Sequence, residues 1–575
     1  MKKFLLVTLI LMLVAAMVLS GCGTKTTPTM TQSSPYSPTY LPTTIPQTVP
    51  KYTQATQTPG GYYPTTIPNT TTIGLAAGGA KDVVNFRANI QHNYLPLPTD
   101  ITYEGLFYDY YFDTGLSEAC RKLYCPSYSY AITRDPFSHK TEYYLSVGLN
   151  SGLKESDFQR KKLNLVIVLD TSGSMGENYT QYYYDRYGKQ IDAYEGEGIS
   201  RQNKMTSAAE AVVAILDQLN NDDRFAVVLF NSDASLAKPM GLVSKTNIRD
   251  IANRILDITA GGSTNLSAGI ELATGQFRNL YEINNYEYEN RIIVLTDAQP
   301  NTGDTTVSGY MNILRNNANS RIYTTFIGIG VDFNSQLIEQ ITGMKGANYY
   351  SVHSPREFRG RVADEFEFMV TPLIFNLQLN FESNGWRIEK VFGSPEADEA
   401  TGKLMRINTL FPSKSEGGEN KGGLVLLKLR KTSSLSDEKV YLKVSYEDRN
   451  GRTDSSVAVI ALESQQPEYF DNSGIRKGIL LARYASLLKN WLIDERQHVN
   501  YNNPWNPIVR EDTGIMLPSE NISQWERQSL PLVVSSPYRM IFRDFAGYFD
   551  REMNAINDYT LDQELAILKT LSAYR

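Results

Sequence analysis

The run Leu163-Asn164-Leu165-Val166-Ile167-Val168-Leu169 is short, β-branched and nearly all apolar, and it passes directly into Asp170-Thr171-Ser172-Gly173-Ser174-Met175. A strand without polar alternation is buried on both faces, which points to a parallel sheet covered by helices on each side. In such open α/β sheets the carboxyl ends of the strands line the crevice where ligands sit. A carboxylate, two hydroxyls and a glycine turn therefore stand where chemistry is expected. Carboxylate and hydroxyl oxygens, with no histidine or cysteine nearby, suit a small hard cation such as Mg²⁺ better than Zn²⁺. Asp and Ser are equally favoured as simple helix caps, so the pentad alone leaves both readings open.

Two distant segments shift the balance. Gly261-Gly262-Ser263-Thr264-Asn265 is a glycine-rich loop entering a helix, and it offers a further hydroxyl. Arg291-Ile292-Ile293-Val294-Leu295-Thr296-Asp297 is a second buried strand ending in a carboxylate. The order strand–Asp-x-Ser-x-Ser, Gly-Ser-Thr–helix, strand–Thr-Asp resembles the von Willebrand factor type A domain and its metal-ion-dependent adhesion site. The resemblance implies that Asp170, Ser172, Ser174, Thr264 and Asp297 hold Mg²⁺, with Mn²⁺ or Ca²⁺ as alternatives. It also implies that an Asp or Glu of a protein partner takes the open coordination position. Ala298 departs from the family, which usually has glycine after the last aspartate; a small residue there should leave the site intact.

The surrounding pattern predicts an α/β domain over 161–370 with a doubly wound, mostly parallel sheet. Met205, Ala209, Val212, Leu216 and Leu219 form one apolar stripe at helical spacing. Phe225–Phe230 and Ile322–Ile329 read as strands, and Ser354-Pro355-Arg356-Glu357 as a capping box opening a helix to about Phe368. After Pro372 the hydrophobic period changes to two, which predicts a β-sandwich over 371–464, with the strand near Tyr143 as a candidate member. Ile475–Leu492 and Leu561–Leu571 have helical spacing, so 465–575 is expected to be a helical region. Between the metal loop and the first helix, 176–203 is rich in Tyr, Asp and Glu; leaving from that loop, it should overhang the metal face as a recognition surface.

The start of the chain carries an address. Lys2-Lys3 precedes the apolar stretch Phe4–Val18, too short for a comfortable spanning helix, and Leu19-Ser20-Gly21-Cys22 resembles a prokaryotic lipobox. The resemblance implies removal of a signal peptide, 1–21, and lipid attachment at Cys22. Thr/Pro/Gln-rich residues 22–78 cannot bury a core and read as a tether. The expectation is an exported protein, lipid-anchored to the outer face of a prokaryotic membrane. Cys120 and Cys125 are the only other cysteines, and export favours a disulfide between them. Segment 79–160, with Val84-Asn85-Phe86-Arg87 and Tyr94-Leu95-Pro96-Leu97-Pro98, resembles the piece preceding the type A domain in YfbK-like surface proteins.

A net charge of −6 gives no basic face for nucleic acid. There is no Gly-x-Ser-x-Gly elbow and no phosphate-binding Gly-x-x-x-x-Gly-Lys-Ser/Thr loop, so an enzyme is not expected. The expected role is partner binding at the cell surface through the metal. The alternative is a membrane-tethered scaffold or complex-assembly factor in which the metal is mainly structural.

Overall fold

Strand Lys162–Asp170 is an interior strand, third of seven, in a sheet whose order is 234–242, 224–230, 162–170, 288–296, 322–329, 348–352 and 79–80. The coordinates are a computed structural model that describes residues 72–574, apart from short stretches and most of 178–202, 281–286, 298–306, 330–340, 433–438 and 501–529. All pairings in this sheet are parallel except that of edge strand Ala234–Leu242 with Arg224–Phe230. The alternation along Lys162–Asp170 explains the layering. Leu163, Leu165, Ile167 and Leu169 pack against helices Lys204–Leu216 and Pro355–Val370, whereas Val166 and Val168 pack against Leu266–Gly275 and Val307–Asn319. Asn164, the polar residue of the run, is satisfied by donating from Nδ2 to Asn290 Oδ1 at 2.8 Å. The fold is therefore the doubly wound α/β arrangement expected, with additional strands and helices around it.

The remaining chain forms a sandwich and a helical cap, and both recruit residues from before the α/β domain. One sheet runs 453–461, 439–448, 374–382, 404–413, 72–77, 150–154, and the facing one 386–392, 424–431, 141–148, 127–134, 469–470. Residues 72–77, grouped with the tether by composition, are instead a strand pairing with Leu404–Ser413 and Asn150–Lys154. Ile73 and Leu75 enter the sandwich core, and Gly74 is required there because a Cβ would lie 2.7 Å from Ser413 Oγ. Val425, Leu427 and Leu429 face the sandwich interior, while Leu424 and Leu426 face helices Ser473–Asn500, Ser536–Ile556 and Asp562–Ala573. The helical layer also contains Val84–Gln91 and Tyr103–Tyr108, so the two ends of the described chain share one core. Among the described residues no helix is long and apolar enough to cross a membrane. Cys22 lies outside the described residues; Cys125 is disulfide-bonded, and its expected partner Cys120 lies outside them as well.

Candidate metal centre

The two strands that end in carboxylates are neighbours, with Leu295 opposite Leu169. From Lys162–Asp170 the chain proceeds to Arg224–Phe230 on one side, and from Tyr288–Thr296 to Ile322–Ile329 on the other. The helices that follow these two strands cover opposite faces of the sheet. This is the topological switch point of a doubly wound sheet, where the diverging connections leave a crevice at the carboxyl edge. Asp170 and Asp297 stand at its lip.

Backbone hydrogen bonds bring the third segment to the same place. Gly173 N donates to Gly262 O at 2.9 Å, Gly261 N to Thr171 O at 2.8 Å, and Thr171 N to Phe230 O at 2.8 Å. Gly262 adopts φ +89° and packs against Asn231 and Ser232, a backbone conformation that favours glycine. Two residues later Thr264 is buried, and Asn265 caps the helix Leu266–Gly275 through its side chain, which accepts from Ala268 N at 3.2 Å. The segments holding all five candidate ligands thus meet at one edge of the sheet.

Asp170, Ser172, Thr264 and Asp297 are at most 1% exposed, and Ser174 is half-buried. Ser172 and Ser174 hydroxyl oxygens are 3.2 Å apart. Asp170 is fixed at both oxygens: Oδ1 accepts from Ser172 N at 2.9 Å and Oδ2 from Thr296 Oγ1 at 2.6 Å. Asp297 is treated differently. Its Oδ2 accepts from Lys204 Nζ at 3.2 Å, whereas its buried Oδ1 has no hydrogen-bond partner among the described residues. Burial first, and then the charge of Asp297, push the Asp170 carboxyl well above the ordinary carboxylate range.

Two buried carboxylates next to one another are costly unless a cation compensates them. The donor set of two carboxylates and three hydroxyls fits a hard divalent ion, and the orphaned Asp297 Oδ1 supplies an unused ligand atom. Thr296 and Lys204 were not assigned a role from sequence. Thr296 reads as the last residue of a strand and Lys204 as the first of a helix; the signals available were the Thr-Asp dipeptide and a lysine directly after a capping Asn203. Ala298 and most of the Tyr-rich insertion fall outside the described residues, as do the side chains of its short strands Tyr182–Tyr184 and Gln190–Asp192, which pair antiparallel.

A family model for the von Willebrand factor type A domain matches residues 165–299. The match supports a type A domain. Inter-alpha-trypsin inhibitor heavy chain H2 of Mesocricetus auratus is 24% identical over 222 residues, covering 38% of this chain and 21% of that protein. Heavy chain H4 of Homo sapiens is 22% identical over 315 residues, covering 53% of this chain and 28% of that protein. The chain thus spans roughly a quarter of the length of these curated relatives. Among solved structures, a von Willebrand factor type A protein from Catenulispora acidiphila aligns at 12% identity and a TM-score of 0.42, covering 73% of this chain and 97% of that one.

Proposed function

We propose that this chain binds a protein partner through a divalent ion held by Asp170, Ser172, Ser174, Thr264 and Asp297 of its type A domain. The observation that carries this reading is the buried Asp170–Asp297 pair at the switch point, with Asp297 Oδ1 unpartnered among the described residues. The ion supplies a Lewis-acidic position able to accept a carboxylate from the partner, Mg²⁺ being the expected metal. The chain's own residues orient it: the 172–174 turn presents hydroxyls, Thr296 holds Asp170, and the 261–264 loop closes the third side. The reading further places the protein at the outer face of a prokaryotic membrane, tethered through a lipid on Cys22 and the Thr/Pro-rich segment.

The test is capture of partners by the full chain on intact cells, using crosslinking with and without a chelator. Loss of specific capture on chelation supports the adhesion reading. Capture that survives complete removal of the metal selects the scaffold alternative instead. Mass spectrometry of the mature N-terminus tests the anchor, which requires a lipid-modified Cys22.

A further inference from the structure

Lys204 is an unusual residue at this site. It opens helix Lys204–Leu216, whose N-cap Asn203 accepts from Thr206 N at 2.7 Å. A cation at a helix N-terminus faces the positive end of the helix dipole, and here its side chain is only 4% exposed. Both circumstances disfavour an ammonium unless acceptors hold it. Nζ lies 3.2 Å from Asp297 Oδ2, and 3.8 Å from Glu177 Oε2, a carboxylate that is 39% exposed at the rim. The backbone reinforces the placement, since Lys204 N donates to Glu177 O at 2.9 Å. The metal loop and the first helix are thus tied at the lysine itself.

We propose that Lys204 is a built-in counter-charge and positioning residue of the metal centre, an inference that rests on the metal-site reading above. By engaging Oδ2 of Asp297 it leaves Oδ1 as the oxygen that would serve the ion. It also sets the charge of the site. Asp170, Asp297 and Lys204 sum to −1, so a divalent ion brings the buried set to +1. Without the lysine the loaded set would be neutral, and the rim carboxylate Glu177 would lower either total. Lys204 therefore weakens the hold on the cation and leaves excess positive charge facing an incoming anion, which makes it a determinant of selectivity for carboxylate ligands. It compensates Asp297 whether or not the ion is bound, so folding does not depend on the metal.

The experiment uses the full chain and three proteins: wild type, Lys204→Gln and Lys204→Arg. Mn²⁺ affinity is measured by electron paramagnetic resonance, and binding of acetate to the Mn²⁺-loaded protein by water-proton relaxation. Glutamine keeps a donor for Asp297 and removes the charge; arginine keeps the charge. Lys204→Gln is expected to bind Mn²⁺ on the order of tenfold more tightly and acetate on the order of tenfold more weakly, with Lys204→Arg near wild type. Wild type that binds Mn²⁺ with Lys204→Gln no tighter overturns this inference alone. A wild-type chain that binds no Mn²⁺ overturns the metal-site reading and this inference together. Circular dichroism of each protein, with and without chelator, checks that the fold stands without metal; unfolding of chelated wild type also counts against the inference.

Discussion

Charge is buried in two parts of the type A domain and handled in opposite ways. Where the domain meets the sandwich, Glu365 of helix Pro355–Val370 pairs with Lys421 at 2.7 Å and accepts from Tyr108 Oη at 3.1 Å. Lys81 in the same cluster lies 4.5 and 4.6 Å from the ring centroids of Tyr108 and Phe411. At the carboxyl edge of the sheet, Asp170, Asp297 and Glu177 have one lysine, Lys204, among them, and two buried oxygens, Asp297 Oδ1 and Glu177 Oε2, have no hydrogen-bond partner among the described residues. In the first cluster the carboxylate has both an ion-pair and a hydrogen-bond partner, and it holds two layers of the molecule together. The second is complete only when a cation from outside joins it. A buried carboxylate oxygen left without a partner among the described residues, rather than burial as such, separates the candidate site from the structural seam.

The sharpest way to break this contrast is Asp170→Asn. Mg²⁺ binding measured by calorimetry is expected to fall below detection, with the far-ultraviolet dichroism of the fold retained. Collapse of the fold would mean that the edge cluster is as structural as the seam. Glu365→Ala should do the reverse: removing one partner of a buried pair destabilises by about 3 kcal/mol, read from urea unfolding, while Mg²⁺ affinity stays near that of wild type. Thr296→Val keeps every proposed ligand but frees Asp170 Oδ2, and should weaken Mg²⁺ binding by about 10- to 100-fold. A smaller effect is expected from pH. Burial lowers the Lys81 ammonium from 10.5 to about 7, so above that pH the folded state holds fewer protons there than the unfolded chain. Stability should therefore rise between about pH 7 and 10.5, and Lys81→Met should flatten that rise in thermal unfolding.

The three segments that meet at the carboxyl edge are legible in the sequence because each is local. Each proposed ligand sits within four residues of a strand or helix end whose hydrophobic period marks it, as with Leu163–Leu169 before Asp170. Pro355 likewise opens its helix where the capping pattern placed it. The edge strand Ala234–Leu242 was not read, because Lys238 and Pro239 interrupt its pattern; an edge position tolerates that proline. Helix Ser536–Ile556 falls in the region expected to be helical, and Phe542, Phe545, Phe549 and Met553, at spacings of four and three, are its buried face. The composition of the sandwich was beyond local reading. Nothing in Thr72–Ala77 records that its neighbour across the sheet is Leu404–Ser413, some three hundred residues later. Thr296 and Lys204 were visible as letters but take their roles only from what stands opposite them.

Arg87, near the start of the described chain, is bound in the interior to Glu564, near its end, and Tyr110 Oη donates to the same carboxylate at 2.8 Å. During synthesis the early segment must therefore leave the ribosome without its final neighbours and wait for the last helix to emerge. The type A domain faces a shorter delay, since its parallel strands from 162 to 352 lie within one continuous stretch of chain. A clipped carboxyl terminus should thus unravel the opposite end of the polypeptide first, leaving the type A domain the last part to fail.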